Sequence, residues 1–188
     1  MNMPSKPLCL TAISLVVVLA SGCTAPGTAM QSGIPAPMAM AGAGGTQDRQ
    51  FVAMAAGNGM YEVRAARLAM NRATSPQVQR FATMLVDHHT RANAELDALV
   101  RSRGGTPPDM LPRDKQAKLE RLSSASPDGF DRMFVRVVGI EDHQADVALY
   151  ERASRDVSDP QLQAFAGRTL PVLRSHLDAA RSLDSSMR

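Results

Sequence analysis

The pattern of apolar positions predicts a helical protein. From Asp48 onward, apolar residues recur every three or four positions, which is the period of an amphipathic helix. Ser-Pro and Asp-Pro pairs separate successive stripes and are typical helix starts, because the polar side chain caps the helix and proline suits its first position. No window shows the alternation of a β-strand. The pattern predicts four long helices, over 48–73, from Pro76 to Gly104, 127–156 and 159–184.

The connections between these helices predict their arrangement. Helices 1 and 2 are joined tightly, as are helices 3 and 4, so each pair should be antiparallel. The connection between helices 2 and 3 is long, about 22 residues, and contains a short helix over 113–123. We therefore predict an all-α fold, a ferritin-like four-helix bundle with this long connection between helices 2 and 3. Pro171 falls inside the fourth helix and is expected to kink it.

Ahead of the helices, residues 1–22 are typical of a lipoprotein signal peptide. The apolar run from Leu8 to Ala20 is about 13 residues, too short to span a bilayer but matching a signal-peptide core. Small residues then precede Cys23 and form a lipobox. We predict cleavage before Cys23 and lipid attachment to it, with an ordinary secretory signal as the alternative. The predicted location is the cell envelope, facing the periplasm, and Thr24 after the cysteine favours the outer membrane.

Residues 23–46 are predicted to be a disordered tether, and 47–184 a single helical domain. The tether consists mainly of Ala, Gly, Pro, Met and Ser without charge, a composition that cannot bury a core. The only other cysteine, Cys9, lies within the signal peptide, so the domain has neither a disulfide nor a thiolate metal site. The domain is therefore expected to depend on its core for stability.

Charge and aromatic content limit the possible partners. The formal net charge is only +3, and the basic residues are scattered among acidic neighbours, so no nucleic-acid partner is predicted. Aromatic residues make up 4% of the chain and tryptophan is absent, which argues against stacking surfaces for bases or sugars. The predicted partners are the membrane, through the lipid on Cys23, and an envelope protein. The sequence leaves the oligomeric state open.

Four polar residues interrupt the apolar stripes, one near the middle of each predicted helix. They are Glu62, His89, His143 and His176. A carboxylate in an apolar interior is costly unless it is paired or bound to metal, and imidazole is the commonest metal ligand. We therefore predict that the four residues bind a divalent transition metal. The alternative is a metal-free polar core that fixes the register of the helices.

The predicted depths of these residues agree only in part. The residues on helices 1 and 2 lie about equally far from the turn that joins them. His143 and His176 differ by about one helical turn relative to theirs, on the order of 6 Å. Helix 3 is also ambiguous in phase, because a second apolar stripe would turn Glu141 inward and His143 outward. Glu141 or Asp142 could therefore replace His143 in the site.

The chain lacks the signatures of common enzymes. It contains no Gly-x-Ser-x-Gly motif and no phosphate-binding loop after a strand. The Glu-x-x-His pair of diiron proteins is also missing, because Val86 and Ile140 stand three residues before His89 and His143. Ligation rich in histidine suits Zn, Cu or Ni better than a diiron centre. No catalytic or cofactor-binding residue is predicted, and an oxidase or peroxidase is disfavoured.

Short stretches around the polar residues form a pattern that covers about 48–183. They are 51–56 with 62–63, 78–82 with 87–93, 130–131 with 142–143, and 165–166 with 170–171 and 176–177. This pattern resembles a bacterial ferritin-like domain-of-unknown-function family whose members are often labelled outer-membrane or envelope proteins. The family's Asp-His-Thr motif falls on His88-His89-Thr90, so His88 stands where the family usually has aspartate. The resemblance implies a ferritin-like bundle and supports the four polar residues as a shared set, but it implies no activity.

Overall fold

The computed structural model describes residues 44–187, which form seven consecutive helical segments. No strand occurs in this range, so the all-α prediction is confirmed. The signal peptide, Cys23 and the tether up to residue 43 lie outside the described residues. No helix between 44 and 187 is long and apolar enough to cross a bilayer. The segments are α1 (Thr46–Arg72), α2 (Pro76–Arg101), α3 (Arg113–Ser123), α4 (Pro127–Met133), a π-helical segment (Phe134–Asp142), α5 (His143–Asp156) and α6 (Pro160–Ser186).

Three of the helices begin at the predicted polar-proline pairs. Ser75, Ser126 and Asp159 each accept a backbone N–H from the first turn, and a proline occupies the first helical positions after each of them. The α2 helix ends at Arg101, slightly before the predicted end, and the chain then turns through Gly104 at φ 71°. Glycine adopts this left-handed conformation without a steric penalty.

The long helices pack in two closely associated pairs. The α1 helix packs along α2, and α5 packs along α6. Contacts of α2 with α6 and of α1 with α5 join the two pairs around a shared interior, while α3 packs on α1. The α6 helix continues through Pro171. Each of the four long helical regions therefore contributes side chains to one interior.

The predicted third helix contains a π-helical segment, Phe134–Asp142, in its middle. A π-helix bonds residue i to i+5 and so turns more slowly along the sequence than an α-helix. Both Asp142 and His143 are consequently buried, whereas Glu141 is exposed. Neither apolar stripe expected for an unbroken α-helix describes the inward face, and the alternative that placed Glu141 inward is wrong.

Gly139 lets the π-helical segment approach α6 closely. A Cβ atom added to Gly139 would lie 2.7 Å from the Cβ of Ala180 and 3.2 Å from the ring of Phe81. Real Cβ atoms do not approach other atoms this closely without displacing them. A larger residue would therefore push the segment away from α6.

The core has two apolar clusters with a layer of polar residues between them. One cluster is centred on Phe81, Phe130 and Phe134, and the other on Phe51 and Phe165. On α2, on the third helical region and on α6, buried polar positions separate the two apolar sets, and on α1 Glu62 lies at the near edge of the first set, next to Tyr61. We call this group the polar layer, and it consists of Glu62, His89, Asp142, His143, Asp146 and His176.

Candidate metal centre

Three histidines of the polar layer point their ring nitrogens into a common space. His143 Nε2 lies 3.1 Å from His176 Nδ1 and 3.4 Å from His89 Nε2. One ring nitrogen from each of the three lies within 4.8 Å of the others. They come from α2, α5 and α6, so the tertiary fold assembles the group from positions distant in sequence.

These separations match the spacing of metal ligands. A metal with N–metal distances of about 2.0–2.1 Å and tetrahedral angles holds its nitrogen ligands roughly 3.3 Å apart. The two shortest separations among His89, His143 and His176, 3.4 Å and 3.1 Å, bracket that value. The nitrogens of the third pair, His89 and His176, lie within 4.8 Å of each other. An ion bound to all three nitrogens therefore fits the two shortest separations and fixes the third.

The hydrogen bond made by Nδ1 of His143, the ring nitrogen that faces away from the other two histidines, determines that Nε2 is the unprotonated nitrogen. Its Nδ1 lies 2.8 Å from the carbonyl oxygen of Val138, within the π-helical segment. A carbonyl can only accept, so Nδ1 must carry the proton and donate it. In the neutral ring Nε2 then has a bare lone pair that faces the other two histidines. Metal-binding histidines are typically oriented by such an outer partner.

Glu62 lies behind the histidines and not among the converging atoms. Its Oε2 is 3.1 Å from His89 Nδ1, and its Oε1 is 3.5 Å from His143 Nδ1. Neither oxygen accepts a well-directed hydrogen bond, and the carboxyl group of Asp146 also lies close to Glu62. When Glu62 is ionised, it favours the proton on Nδ1 of His89 and leaves Nε2 free for a metal. The sequence predicted Glu62 as a ligand, whereas the structure places it as an outer partner of two histidines.

His88 is the outer partner of His176. Its Nδ1 lies 2.7 Å from His176 Nε2, and the two rings stack at 5.0 Å with an angle of 15° between their planes. His88 is half-buried, whereas His176 is only 1% exposed. The sequence left the orientation of His88 open. In the structure His88 contacts His176, whereas the adjacent His89 is itself one of the three converging histidines.

Burial keeps the three central histidines neutral. It lowers the pKa of His89 and His143, and it lowers the pKa of His176 to about 3, with the neighbouring histidines adding to the shift for His89 and His176. Neutral imidazole is the form that binds metal. Burial also raises the pKa of Glu62 well above its ordinary value, and the nearby Asp146 and Asp142 add to this increase.

The remaining carboxylates of the polar layer have protein partners. Asp142 forms an ion pair with Lys118 of α3, and Lys115 lies 3.9 Å from the same oxygen. Asp146 accepts a 2.5 Å hydrogen bond from Asn58 Nδ2, and burial raises the pKa of Asp146 to about 6.

The sequence analysis missed these partners, as well as Asp146 itself. The spacing of four between Asp142 and Asp146 was the available signal, since residues i and i+4 share a helix face.

The expected mismatch in depth between His143 and His176 is not observed, because their ring nitrogens are 3.1 Å apart. The expectation compared backbone positions and neglected side-chain direction. Helical side chains lean toward the N-terminus of their own helix. In an antiparallel pair, His143 therefore leans away from the connecting turn and His176 leans toward it. These opposite side-chain directions bring the two rings to the same distance from the connecting turn.

A cleft of about 390 Å³ leads from the surface to this group. Its lining includes Glu62, His88, His89 and His176, whereas the fully buried His143 lies beyond it. The cleft is lined by residues of α1, α2, α5 and α6. Small ions and molecules have a route to the converging nitrogens.

Comparisons with known proteins identify a family and a related fold. The family described as Domain of unknown function (DUF4142) matches residues 34–183. No curated protein matches the chain. A solved structure titled "Crystal structure of DUF305 fragment from Deinococcus radiodurans" is similar, with a TM-score of 0.66 and 17% identity, covering 76% of this chain and 97% of that one. At this identity the likeness concerns the fold alone.

Proposed function

Because the chain belongs to the DUF4142 family, whose function is unknown, we propose a function from the site itself. The protein is a metal-binding protein of the cell envelope. His89, His143 and His176 bind one divalent transition metal, and Glu62 and His88 orient them. The residues predicted from the sequence as ligands thus keep a place in the proposal, with Glu62 in an outer role.

The convergence of three nitrogen atoms carries this proposal. His143 Nε2 has no proton of its own, and an ionised Glu62 gives the same state to His89 Nε2, which lies 3.4 Å away. Two bare lone pairs at this distance repel each other unless a cation or a proton lies between them. A divalent ion bound to both and to His176 Nδ1 removes this repulsion.

The donor set favours zinc, copper or nickel. All three ligand atoms are imidazole nitrogens, which suit these metals, whereas manganese and magnesium prefer oxygen donors. Tetrahedral spacing of the nitrogens fits zinc in particular. We propose Zn²⁺ as the first ion to test, with Cu²⁺ and Ni²⁺ as competitors.

We also propose that the domain is a ferritin-like bundle anchored to the membrane through Cys23. Four long helical regions around one interior and the similarity to the DUF305 fragment support the bundle. The short apolar run before the lipobox supports the anchor. Labelling cells with a fatty-acid analogue should mark the wild-type protein but not Cys23→Ser. Equal labelling of both would contradict the anchor.

The competing function is a metal-free structural or interaction protein of the envelope. The contacts of 2.7–3.4 Å among the four histidines favour it, because a proton-sharing network has similar spacings. Such a core would fix helix register without any ion. It predicts a fully stable protein whose melting temperature does not respond to metals or chelators.

Elemental analysis of the full-length protein separates the two functions. The protein is purified in detergent without a histidine tag, then divided into samples kept as purified or dialysed against EDTA and reloaded with Zn²⁺, Cu²⁺ or Ni²⁺. We expect close to one ion per chain and a higher melting temperature on loading. Less than one tenth of an ion per chain, with unchanged melting for all three metals, would overturn the proposal.

A further inference from the structure

The three histidines would supply only three of the four ligands of a tetrahedral ion. Val138 and Glu62 occupy the outer nitrogens of His143 and His89, and His88 occupies that of His176. The central nitrogens therefore take three positions around a bound ion. A tetrahedral ion has a fourth position, and in structural zinc sites a fourth protein ligand fills it. No fourth His, Cys, Asp or Glu of the described residues joins this group.

The walls of the cleft leave room for more than a water molecule. Its volume of about 390 Å³ falls within the range of small-molecule sites, which are typically about 300–1,000 Å³. The apolar side chains of Ala55, Ala92, Val172 and Leu173 form part of the lining. A ligand with a short hydrocarbon body could lie against these side chains while its head points to the histidines.

Asn93 brings a polar amide into the same cleft. A Cβ atom added to Gly59 would lie 2.0 Å from Asn93 Oδ1, so the amide occupies the space that a side chain at position 59 would fill. Asn93 is one helical turn after His89, and Gly59 is one turn before Glu62. Asn93 and Gly59 both line the cleft, so this amide is a polar group within reach of a ligand bound there.

The charge of the loaded site favours an anion. A divalent ion on three neutral histidines keeps both positive charges, and Lys115 and Lys118 of α3 bring the positive charges near the site to four. Glu62, Asp142 and Asp146 carry at most three negative charges between them. The two arginines of the rim add no net charge, because Arg168 is paired with Glu95 at 2.6 Å and Arg91 with Asp87 at 2.8 Å. At least one positive charge therefore remains at the buried ion, where an unbalanced charge is costly.

We propose that the cleft binds a small organic monoanion, such as a short-chain carboxylate, whose head takes the fourth position on the metal. This inference rests on the proposed metal site. The carboxylate head neutralises the remaining charge, Asn93 donates to its second oxygen, and the hydrocarbon body packs against the apolar wall. The protein would thus be a ligand-binding metalloprotein and not a closed structural site.

The test uses Co²⁺, whose visible absorption depends on its ligands, in place of Zn²⁺. Full-length protein is loaded with Co²⁺ and titrated with azide, as a small monoanion, and with butyrate. We expect saturable spectral changes with both ions. In Val172→Trp, which narrows the cleft at a partly exposed position, butyrate binding should weaken at least about tenfold while azide binding changes little. Met70→Trp, at an exposed position on α1 away from the cleft, is the matched control.

The outcomes separate this inference from the metal proposal. A Co²⁺ spectrum that neither anion changes would mean a closed site, overturning the ligand proposal and leaving the metal proposal standing. Butyrate binding equal in wild type, Val172→Trp and a second variant, Ala92→Leu, would also overturn the cleft as the ligand site. Failure of the wild type to take up any Co²⁺, Zn²⁺, Cu²⁺ or Ni²⁺ would overturn both proposals.

Discussion

Asp131 and Glu62 are both buried carboxylates, yet their surroundings differ completely. Asp131 accepts three hydrogen bonds near the start of α2, from Ser75 N at 2.7 Å, Thr74 Oγ1 at 3.0 Å and Thr74 N at 3.1 Å. Glu62 accepts no well-directed hydrogen bond and instead faces two imidazoles and the carboxyl group of Asp146. The hydrogen bonds of Asp131 come from backbone and hydroxyl groups at a helix start. Glu62 stands beside the three histidines whose ring nitrogens converge.

The two carboxylates show that buried charged groups in one core can have different roles: one holds a helix start in place, and the other lies beside a candidate binding site. Backbone N–H groups that bond a carboxylate stabilise it as an anion without any further ion. A buried carboxylate without such donors is stabilised only by a proton or by a nearby positive charge. The carboxylate of Asp131 therefore has its hydrogen bonds within the protein, whereas a proton, or the cation that we propose for the histidine group, would stabilise Glu62.

The largest effect is expected from His143→Ala. It removes the nitrogen that lies between the other two ligands, so Zn²⁺ affinity should fall by more than the roughly 10- to 100-fold typical of an outer-partner change. Isothermal titration of the full-length protein measures this. Asp87→Asn, at an exposed position on α2, should bind Zn²⁺ like wild type. A His143→Ala protein that is folded by circular dichroism and retains wild-type affinity would refute the site.

A smaller loss of affinity is expected from Glu62→Gln. Removal of the outer carboxylate should weaken Zn²⁺ binding by about 10- to 100-fold, because Glu62 orients His89 and adds negative charge. The free energy of unfolding of the metal-free protein should be unchanged or higher, because burial and the nearby Asp146 and Asp142 disfavour the ionised form of Glu62, and a neutral amide avoids that cost. Urea unfolding in EDTA measures that stability. A large loss of metal-free stability would place Glu62 with the structural carboxylates.

Asp131→Ala should lower the stability of the protein without changing Zn²⁺ binding, which is the reverse of the result expected for Glu62→Gln. Losing this acceptor leaves buried N–H donors unsatisfied, at a cost of about 1–3 kcal/mol of unfolding free energy. Zn²⁺ affinity should not change, because Asp131 makes no contact with the polar layer. Asp128→Ala, exposed on the same helix, is the control for urea unfolding and should be close to wild type. Weaker Zn²⁺ binding by folded Asp131→Ala would break the separation between the two regions.

The pH dependence of the metal-free protein should come partly from His176. Its folded-state pKa of about 3 lies below the ordinary 6.5, so between these values the unfolded chain binds the extra proton. Its contribution to stability is present above pH 6.5 and is lost as the pH falls toward 3. Asp146, with a pKa raised from 3.8 to about 6, acts in the opposite direction below pH 6.

Melting temperatures measured in EDTA at several pH values test the contribution of His176 to stability. Between pH 7 and pH 4 the decrease should be smaller in His176→Gln than in wild type, because the glutamine cannot be protonated. Ser175→Ala, at the exposed neighbouring position, should retain the wild-type slope. Identical slopes for His176→Gln and wild type would mean that His176 is not neutral in the folded protein.

The smallest effect is expected at His88. Replacement by phenylalanine removes the partner of His176 Nε2 and should weaken Zn²⁺ binding by about tenfold. His88→Asp should keep the affinity, because a carboxylate oxygen lies two bonds from Cβ, as Nδ1 does in histidine. Direct titration of the two variants compares them. Equal losses in both would show that His88 has no role in orienting His176.

Helix starts and the choice of polar residues were predictable because they depend on local chemistry. Ser75, Ser126 and Asp159 signal caps by residue type, and histidines on apolar stripes indicate an unusual interior. The π-helical segment was not predictable, since its winding depends on packing against α6 near Gly139. The roles of Glu62 and His88 as outer partners also depend on three-dimensional distances. Their spacing along the chain carries no such information.

The π-helical segment behaves like a one-residue insertion within an α-helix. If the same residues wound as an ordinary α-helix, every side chain after Asp142 would rotate by about 100° relative to those before Phe134. Phe130 could still pack in its cluster while His143 and Asp146 turned away from the interior. Deleting one residue from the segment, with α-helical winding, would instead keep the later side chains in place. A relative that lacks the π-helical segment but keeps the polar layer should therefore be one residue shorter at this point of the chain.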